Sequence, residues 1–148
     1  KHSDRTDLAR PLAIWMADRL RGQLPNETVV VPVPSHPIRL LQRRYNQSAL
    51  LARGIARQLG LKLEVDALLR VRATPKLDGL GVAERFAKLD GAIKAHPKRV
   101  SRIADRPVLV VDDVMTSGAT LHAATTALTK AGTREVFIAV LARVLKAT

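Results

Sequence analysis

Residues 108–120 read VLVVDDVMTSGAT, an apolar run that leads into two acids and then into a loop of small hydroxyl residues. The run 108–111 has no polar alternation, which predicts a strand that is buried on both faces. Asp112 and Asp113 follow it directly, so we expect them where the strand leaves the sheet at its carboxyl end. Ligands of open α/β sheets bind outside that edge. The stretch therefore predicts a ligand site beside the two acids.

The loop over residues 116–120 is suited to holding a phosphate group. Gly118 allows the backbone a positive φ or a close approach to a ligand. The hydroxyl groups of Thr116, Ser117 and Thr120 can donate hydrogen bonds, and the first N–H groups of the helix predicted to follow point at an anion. The acids upstream can accept from sugar hydroxyls or hold a metal through water. These residues indicate a site for ribose 5-phosphate; a metal site of a phosphatase or receiver-like fold, or a plain capped turn, are the alternatives.

Composition and charge narrow the class of protein. The chain has 148 residues, of which 47% are hydrophobic, and this predicts one domain over residues 1–148 with an apolar core. Cysteine is absent, which excludes disulfides within the chain and fits a cytoplasmic location. No stretch reaches the length of a membrane helix, and no signal-peptide pattern is present. A start at Lys1, directly before a helical pattern, is typical of a segment trimmed from a longer protein.

Hydrophobic periodicity predicts helices that alternate with strands. This alternation indicates an α/β fold: an open, mainly parallel sheet flanked by helices, with right-handed crossovers. Residues 74–90, which hold Pro75, Gly79 and Gly81 before a short helical pattern, look like an excursion from this body. Helices are predicted over 7–24, 47–59 and 120–131, with a basic connector over 97–106. Strands are predicted over 28–33, 91–95, 108–111 and 135–144, and one or two short strands within 62–71.

Residues 108–120 resemble, without a gap, the signature of the type I phosphoribosyltransferases. In that family two adjacent acids bind the ribose hydroxyls of phosphoribosyl pyrophosphate (PRPP), and the following loop binds the 5-phosphate. The resemblance implies that Asp112 and Asp113 are catalytic and hold Mg²⁺ through water or ribose hydroxyls. It implies PRPP or another phosphorylated ribose as the ligand. The substrate-binding residues that it implies on this segment are Met115, Thr116, Ser117, Gly118, Ala119 and Thr120.

A second segment of the predicted site is VPVPSHP over residues 31–37. Its three prolines fix a rigid turn after the first predicted strand. Type I phosphoribosyltransferases place a pyrophosphate-binding loop at this position, which implies substrate contacts from Ser35 and His36. An ordinary proline-stiffened loop is the alternative.

The combination of Pro32-Val33-Pro34 with residues 43–47 is similar to the ComF family of the same fold. Members typically carry Pro-x-Pro and then Arg-Gly-Phe-Asn-Gln before a helix, whereas this chain has Arg44 for the glycine and Tyr45 for the phenylalanine. The guanidinium groups of Arg43 and Arg44 can clamp a diphosphate; a solvated basic face is the alternative. Many members also carry an N-terminal cysteine-rich zinc element, which is absent from this chain.

The resemblance implies Mg²⁺-dependent transfer of a 5-phosphoribosyl group from PRPP to a nitrogenous acceptor, with release of pyrophosphate. Residues 74–90 would then form a flexible lid that shields the reacting sugar from water, with Arg72, Lys76 and Arg85 as anion contacts. A surface hairpin or helix without a catalytic part is the alternative. Asn46 and Gln47 are expected to contact the ligand or to cap the helix that follows.

Two other functions stay open at the level of the sequence. ComF relatives are associated with DNA uptake and competence, so an accessory protein that binds single-stranded DNA is the rival. The net charge of +12 favours it, whereas an aromatic content of only 3% argues against strong stacking on bases. A regulatory PRPP sensor without turnover is the third reading. An oligomer is compatible with the sequence, which names neither an oligomeric state nor an acceptor.

Overall fold

Four parallel strands form the central sheet of the computed structural model, which describes residues 6–35, 45–73 and 79–144. The sheet has the strand order β2–β1–β5–β6, and a separate antiparallel pair is formed by β3 and β4. The predicted open, mainly parallel α/β sheet is confirmed. In chain order the elements are α1 (Thr6–Leu20), β1 (Val29–Pro32), α2 (Gln47–Leu59), β2 (Lys62–Leu63), β3 (Leu68–Arg70), α3 (Val82–Leu89), β4 (Ile93–Ala95), α4 (Val100–Ile103), β5 (Pro107–Met115), α5 (Ala119–Lys130) and β6 (Glu135–Arg143).

Helices cover both faces of this sheet. On one face Val30, Leu109 and Val111 pack with the buried sides of α1 and α2. On the other face Val29, Val31, Val108 and Val110 pack with α5 and with the β3–β4 pair. Because β1 and β5 contribute to two cores at once, their apolar runs have no polar alternation. None of the described helices is long and apolar enough to cross a membrane.

The helices α1 and α2 approach each other closely at Gly54. A Cβ atom placed on Gly54 would lie 2.4 Å from the Cβ of Ala13. The bounds of α2 agree with those expected from the sequence, because both ends carry strong stop signals. Asn46 accepts hydrogen bonds from the backbone N–H groups of Ser48 and Ala49, and Gly60 closes the helix with a φ of 65°.

The strand β5 is longer than the sequence predicted. Val114 and Met115 still pair with β6, whereas the pairing with β1 ends at Val111. The last bond on that side runs from the N–H of Val33 to the carbonyl of Val111, and Pro34 has no N–H with which to continue the ladder. The two acids therefore lie within β5, and not after it. They lie directly after the last residue of β5 that pairs with β1.

Other departures from the predicted elements have local causes. The first helix ends at Leu20 instead of residue 24, because Gly22 takes a φ of 75° in the turn that follows. Residues 62–71 hold two short strands, in agreement with the one or two predicted there, and the departure is that β3 leaves the main sheet to pair with β4. The basic connector contains the single-turn helix α4. Of the predicted lid, residues 74–78 lie outside the described residues and its helical part is α3, so the lid stays a prediction.

Candidate functional site

A cavity of about 700 Å³ opens at the carboxyl ends of β1 and β5. The chain leaves β1 towards β2 and leaves β5 towards β6, so the cavity lies where the strand order reverses. In open α/β sheets such a switch point is the usual ligand site. Its polar lining consists of Ser35, Tyr45, Asn46, Gln47, Ser48, Arg70, Arg85, Asp112, Asp113, Thr116 and Thr120.

Asp112 is a buried carboxylate in the wall of this cavity, with a relative exposure of 7%. Its Oδ1 accepts a hydrogen bond of 2.9 Å from the hydroxyl of Ser48 and another of 2.9 Å from the backbone N–H of Asp113. Burial raises the pKa of Asp112 to about 6, and the negative charge of Asp113 adds to this shift. The hydrogen bond from Ser48 opposes the shift by favouring the charged form.

Asp113 is the more exposed of the two acids. Its Oδ1 accepts a hydrogen bond of 2.8 Å from the backbone N–H of Val114. Each acid is thus tied through Oδ1 to the N–H of the next residue. The Oδ2 atom of each carboxylate is a further acceptor beside the cavity. An ionised carboxylate oxygen is an acceptor only, so these two atoms can take hydroxyl groups or ordered water.

The loop between β5 and α5 contains the hydroxyl residues expected to hold a phosphate. Gly118 has a φ of 82° in the left-handed region and lies directly before the first residue of α5. Thr116 and Thr120 line the cavity, whereas Ser117 and Gly118 lie between them in the loop and do not line it. Ala119 is buried in the core and Met115 packs against it, so any ligand contact from these two residues would come from the backbone.

Two arginines reach the cavity from outside the acid-bearing strand. Arg85 of α3 donates from Nη1 to the hydroxyl of Thr116 at 3.3 Å, and from Nε to the carbonyl of Leu80 at 3.1 Å. Arg70, at the end of β3, also lines the cavity. Arg72 does not: its guanidinium binds the carbonyls of Lys88 and Asp90. An anion contact from Arg72 stays a prediction.

The segment before α2 connects the end of β1 with the acids. The Nδ2 of Asn46 donates to the carbonyl of Val33 at 3.1 Å, while its Oδ1 caps α2. Asn46 is therefore the helix cap, and Gln47 is the first residue of the helix. Ser35 lies at the cavity, as expected. The predicted contacts His36, Arg43 and Arg44, and Lys76 of the lid, lie outside the described residues.

Ser48 is the residue that sequence reasoning missed. It lies on the buried face of α2 together with Leu51, Ala52 and Ile55. The sequence did contain one signal: Ser48 is polar, although the helical period predicts an apolar residue at its position. A buried polar group needs a hydrogen-bond partner.

A second cavity, of about 720 Å³, lies between α3, β4 and α5. Its lining is mainly apolar and includes Phe86, whose ring lies 5.3 Å from that of His122. Neither Asp112 nor Asp113 lines this second cavity, so we assign the candidate site to the cavity at the strand ends.

The sheet order, the acids on β5 and the loop before α5 together define a protein with the type I phosphoribosyltransferase fold. Residues 45–148 match the phosphoribosyl transferase domain family, and the chain belongs to that family. A solved purine phosphoribosyltransferase from Pyrococcus horikoshii shares the fold with a TM-score of 0.54 at 22% identity, over 92% of this chain and 73% of that one.

Curated relatives confirm the resemblance to the ComF family. Competence protein F of Haemophilus influenzae is 34% identical over 141 residues, which cover 95% of this chain and 61% of that protein. The DNA utilization protein YhgH of Salmonella typhimurium is 32% identical over 98% of this chain and 64% of its own length. The chain thus spans less than two thirds of the length of these relatives.

Proposed function

We propose that the chain binds PRPP and transfers its 5-phosphoribosyl group to a nitrogenous acceptor, with release of pyrophosphate. The observation that carries this proposal is the composition of one cavity. Two adjacent carboxylates, each held through Oδ1 by a backbone N–H, stand beside a glycine-containing loop at the start of α5. A ribose with a 5-phosphate presents hydroxyl donors that suit the carboxylates and an anion that suits the loop. Membership of the phosphoribosyl transferase domain family supports the same ligand.

In this proposal each part of PRPP meets a different part of the cavity. The 5-phosphate binds the loop 116–120, where hydroxyls and the first N–H groups of α5 donate to it. The ribose hydroxyls donate to the Oδ2 atoms of Asp112 and Asp113. The diphosphate extends towards Ser35 and the guanidinium of Arg85, because a guanidinium fork matches phosphate oxygens.

The chemical step is a displacement at the anomeric carbon. The bond from this carbon to the pyrophosphate oxygen breaks, and pyrophosphate leaves with the bonding electron pair. A nitrogen of the acceptor forms the new bond and releases its proton to solvent. The transition state resembles an oxocarbenium ion, so the negative charges of Asp112 and Asp113 stabilise it electrostatically. The 5-phosphate loop holds the ribose in place and supplies binding energy away from the reacting atoms.

The described residues fit a Mg²⁺ ion that enters with the ligand. Within residues 6–35, 45–73 and 79–144 no three acidic, histidine or cysteine side chains cluster, so these residues form no cage of protein ligands. The two Oδ2 atoms suit contact through water or ribose hydroxyls, and Mg²⁺ is commonly bound by one or two carboxylates together with substrate phosphates. When bound, the ion would neutralise charge on the leaving diphosphate.

Calorimetry with PRPP and Mg²⁺ tests this proposal. The wild-type chain is expected to bind, and the double variant Asp112→Asn with Asp113→Asn is expected to lose binding while it stays folded. Asp66→Asn, at an exposed position, is the matched control and keeps the wild-type affinity. Equal affinity of the wild type and the double variant would contradict the assignment.

Single-stranded DNA binding is the second candidate function. The relatives named for competence and DNA utilization favour it, together with the net charge of +12. Phosphate contacts make DNA binding fall steeply as salt rises, in proportion to the number of contacts. Titration of labelled single-stranded DNA across a salt series therefore tests it; affinity that is absent at low salt rejects it.

A further inference from the structure

We propose that Ser48 is a positioning residue, which aims the second carboxylate oxygen of Asp112 at a ribose hydroxyl of the ligand. This inference rests on the proposed function and adds a residue to its site. Ser48 does not reach the ligand in this proposal. It acts through Asp112.

The geometry around Oδ1 of Asp112 carries the proposal. Two donors meet at this atom from different directions: the hydroxyl of Ser48 and the backbone N–H of Asp113, each at 2.9 Å. Ser48 is 4% exposed and Asp112 is 7% exposed, so water competes poorly for the bond between them. The backbone bond comes from the neighbouring residue of the same strand. The second bond, from a different element, fixes the plane in which Oδ2 lies.

Ser48 is itself held in place by the cap of α2. Asn46 accepts from the N–H of Ser48 at 3.0 Å and donates to the carbonyl of Val33 at 3.1 Å. A chain of hydrogen bonds therefore runs from the end of β1, through the first turn of α2, to the acid on β5. Because β1 and β5 flank the cavity, this series of hydrogen bonds crosses the point where the strand order reverses. It fixes Asp112 relative to the ends of the two strands between which the ligand would lie.

The proposal separates two kinds of ligand. Inorganic phosphate needs only the loop 116–120 and makes no demand on Asp112. Ribose 5-phosphate uses the same loop and also the acids. Loss of the Ser48 hydroxyl should therefore weaken the binding of ribose 5-phosphate and leave the binding of inorganic phosphate unchanged. If Ser48 served only the fold, its loss would weaken the binding of both ligands, because the loop would no longer be held in place.

The experiment compares Ser48→Ala with the wild type by calorimetry, using ribose 5-phosphate and inorganic phosphate as probes. We expect about tenfold weaker binding of ribose 5-phosphate in Ser48→Ala, in the range of one hydrogen bond to a charged group, with unchanged binding of inorganic phosphate. Ser101→Ala, the same substitution at an exposed position of α4, is the matched control and changes neither affinity. Ser48→Cys keeps the shape of the side chain with a slightly larger atom that donates weakly, so it shows the same loss if Ser48→Ala folds poorly.

The outcomes are distinct. Equal binding of ribose 5-phosphate by Ser48→Ala and the wild type overturns the role of Ser48, as does a parallel loss of both probes. A wild-type chain that binds neither ribose 5-phosphate nor PRPP with Mg²⁺ overturns the proposed function itself. Selective loss of the sugar phosphate in Ser48→Ala supports both.

Discussion

Asp112 combines burial with a negative charge, and this combination links the stability of the fold to pH. Its pKa in the folded state is about 6, above the value of 3.8 for a free aspartate, with burial as the largest cause. The folded state therefore holds the proton more tightly than the unfolded state does. The contribution of this group to stability is complete below pH 3.8 and is lost as the pH rises through about 6.

Asp112→Asn removes the free-energy cost of burying a charged carboxylate above about pH 6, because the amide carries no charge. We expect the free energy of unfolding of Asp112→Asn to exceed that of the wild type at pH 7 by up to about 3 kcal/mol, and the two to converge near pH 4. Urea unfolding of both proteins at several pH values measures the difference. A difference that is constant with pH would show that Asp112 titrates in the same way in both states.

A substitution at Gly118 tests the backbone conformation of the loop before α5. Its φ of 82° is strained for any residue with a side chain, although a Cβ atom would meet only the Sδ of Met115 at 3.8 Å. We expect Gly118→Ala to lower the free energy of unfolding by about 1 kcal/mol through backbone strain, and to weaken inorganic phosphate binding. Gly81→Ala, at a φ of −64°, is the control in which stability changes little. Wild-type stability in Gly118→Ala would argue against the left-handed conformation.

At the scale of helices, the contact of α1 with α2 depends on the lack of a side chain at Gly54. The added methyl of Gly54→Ala would lie 2.4 Å from the Cβ of Ala13, so one helix must shift. Overpacking of this kind costs about 1–3 kcal/mol, which outweighs the helix propensity gained from alanine. We expect a lower free energy of unfolding for Gly54→Ala, and partial recovery when Ala13→Gly is added. No recovery in the double variant would place the strain elsewhere.

The helix α3 gives the second prediction at this scale, since it brings Arg85 to the hydroxyl of Thr116. If Arg85 binds the diphosphate, Arg85→Ala lowers the affinity for PRPP by about tenfold, the range of one charge-assisted hydrogen bond. Lys88→Ala removes a cation from the same helix at an exposed position that does not line the cavity, and is expected to bind normally. Equal losses in the two variants would point to net charge instead of a specific contact.

The sequence predicted most elements, because their signals are local. Periodicity, the Asn46 cap and Gly60 located α2, and the unbroken apolar run located the first half of β5. It missed the extension of β5 to Met115, since this depends on pairing with β6. The partnership of Ser48 with Asp112 was also missed, because the two residues are 64 positions apart and meet only after folding. Tertiary contacts of single side chains have no local signal.

At the scale of the whole molecule, the net charge of +12 surrounds a site proposed for a highly anionic ligand. Such a field raises the association rate of anions, and salt screens it over about 10 Å at 0.1 M. We expect the association rate of PRPP to fall several-fold between low and physiological salt, with a smaller change in its dissociation rate. Stopped-flow binding measures both rates. A salt effect confined to dissociation would show that long-range attraction is unimportant.

The early stop of β1 beside the longer β5 gives the cavity its depth. Pro34 ends the shared ladder, while β6 supports the neighbouring strand as far as Met115. The step between the ends of β1 and β5 depends on Pro34. A proline at a different position would change the depth of this step without changing the residues of either core. The position of this one proline therefore sets where the sheet edge lies relative to Asp112 and Asp113.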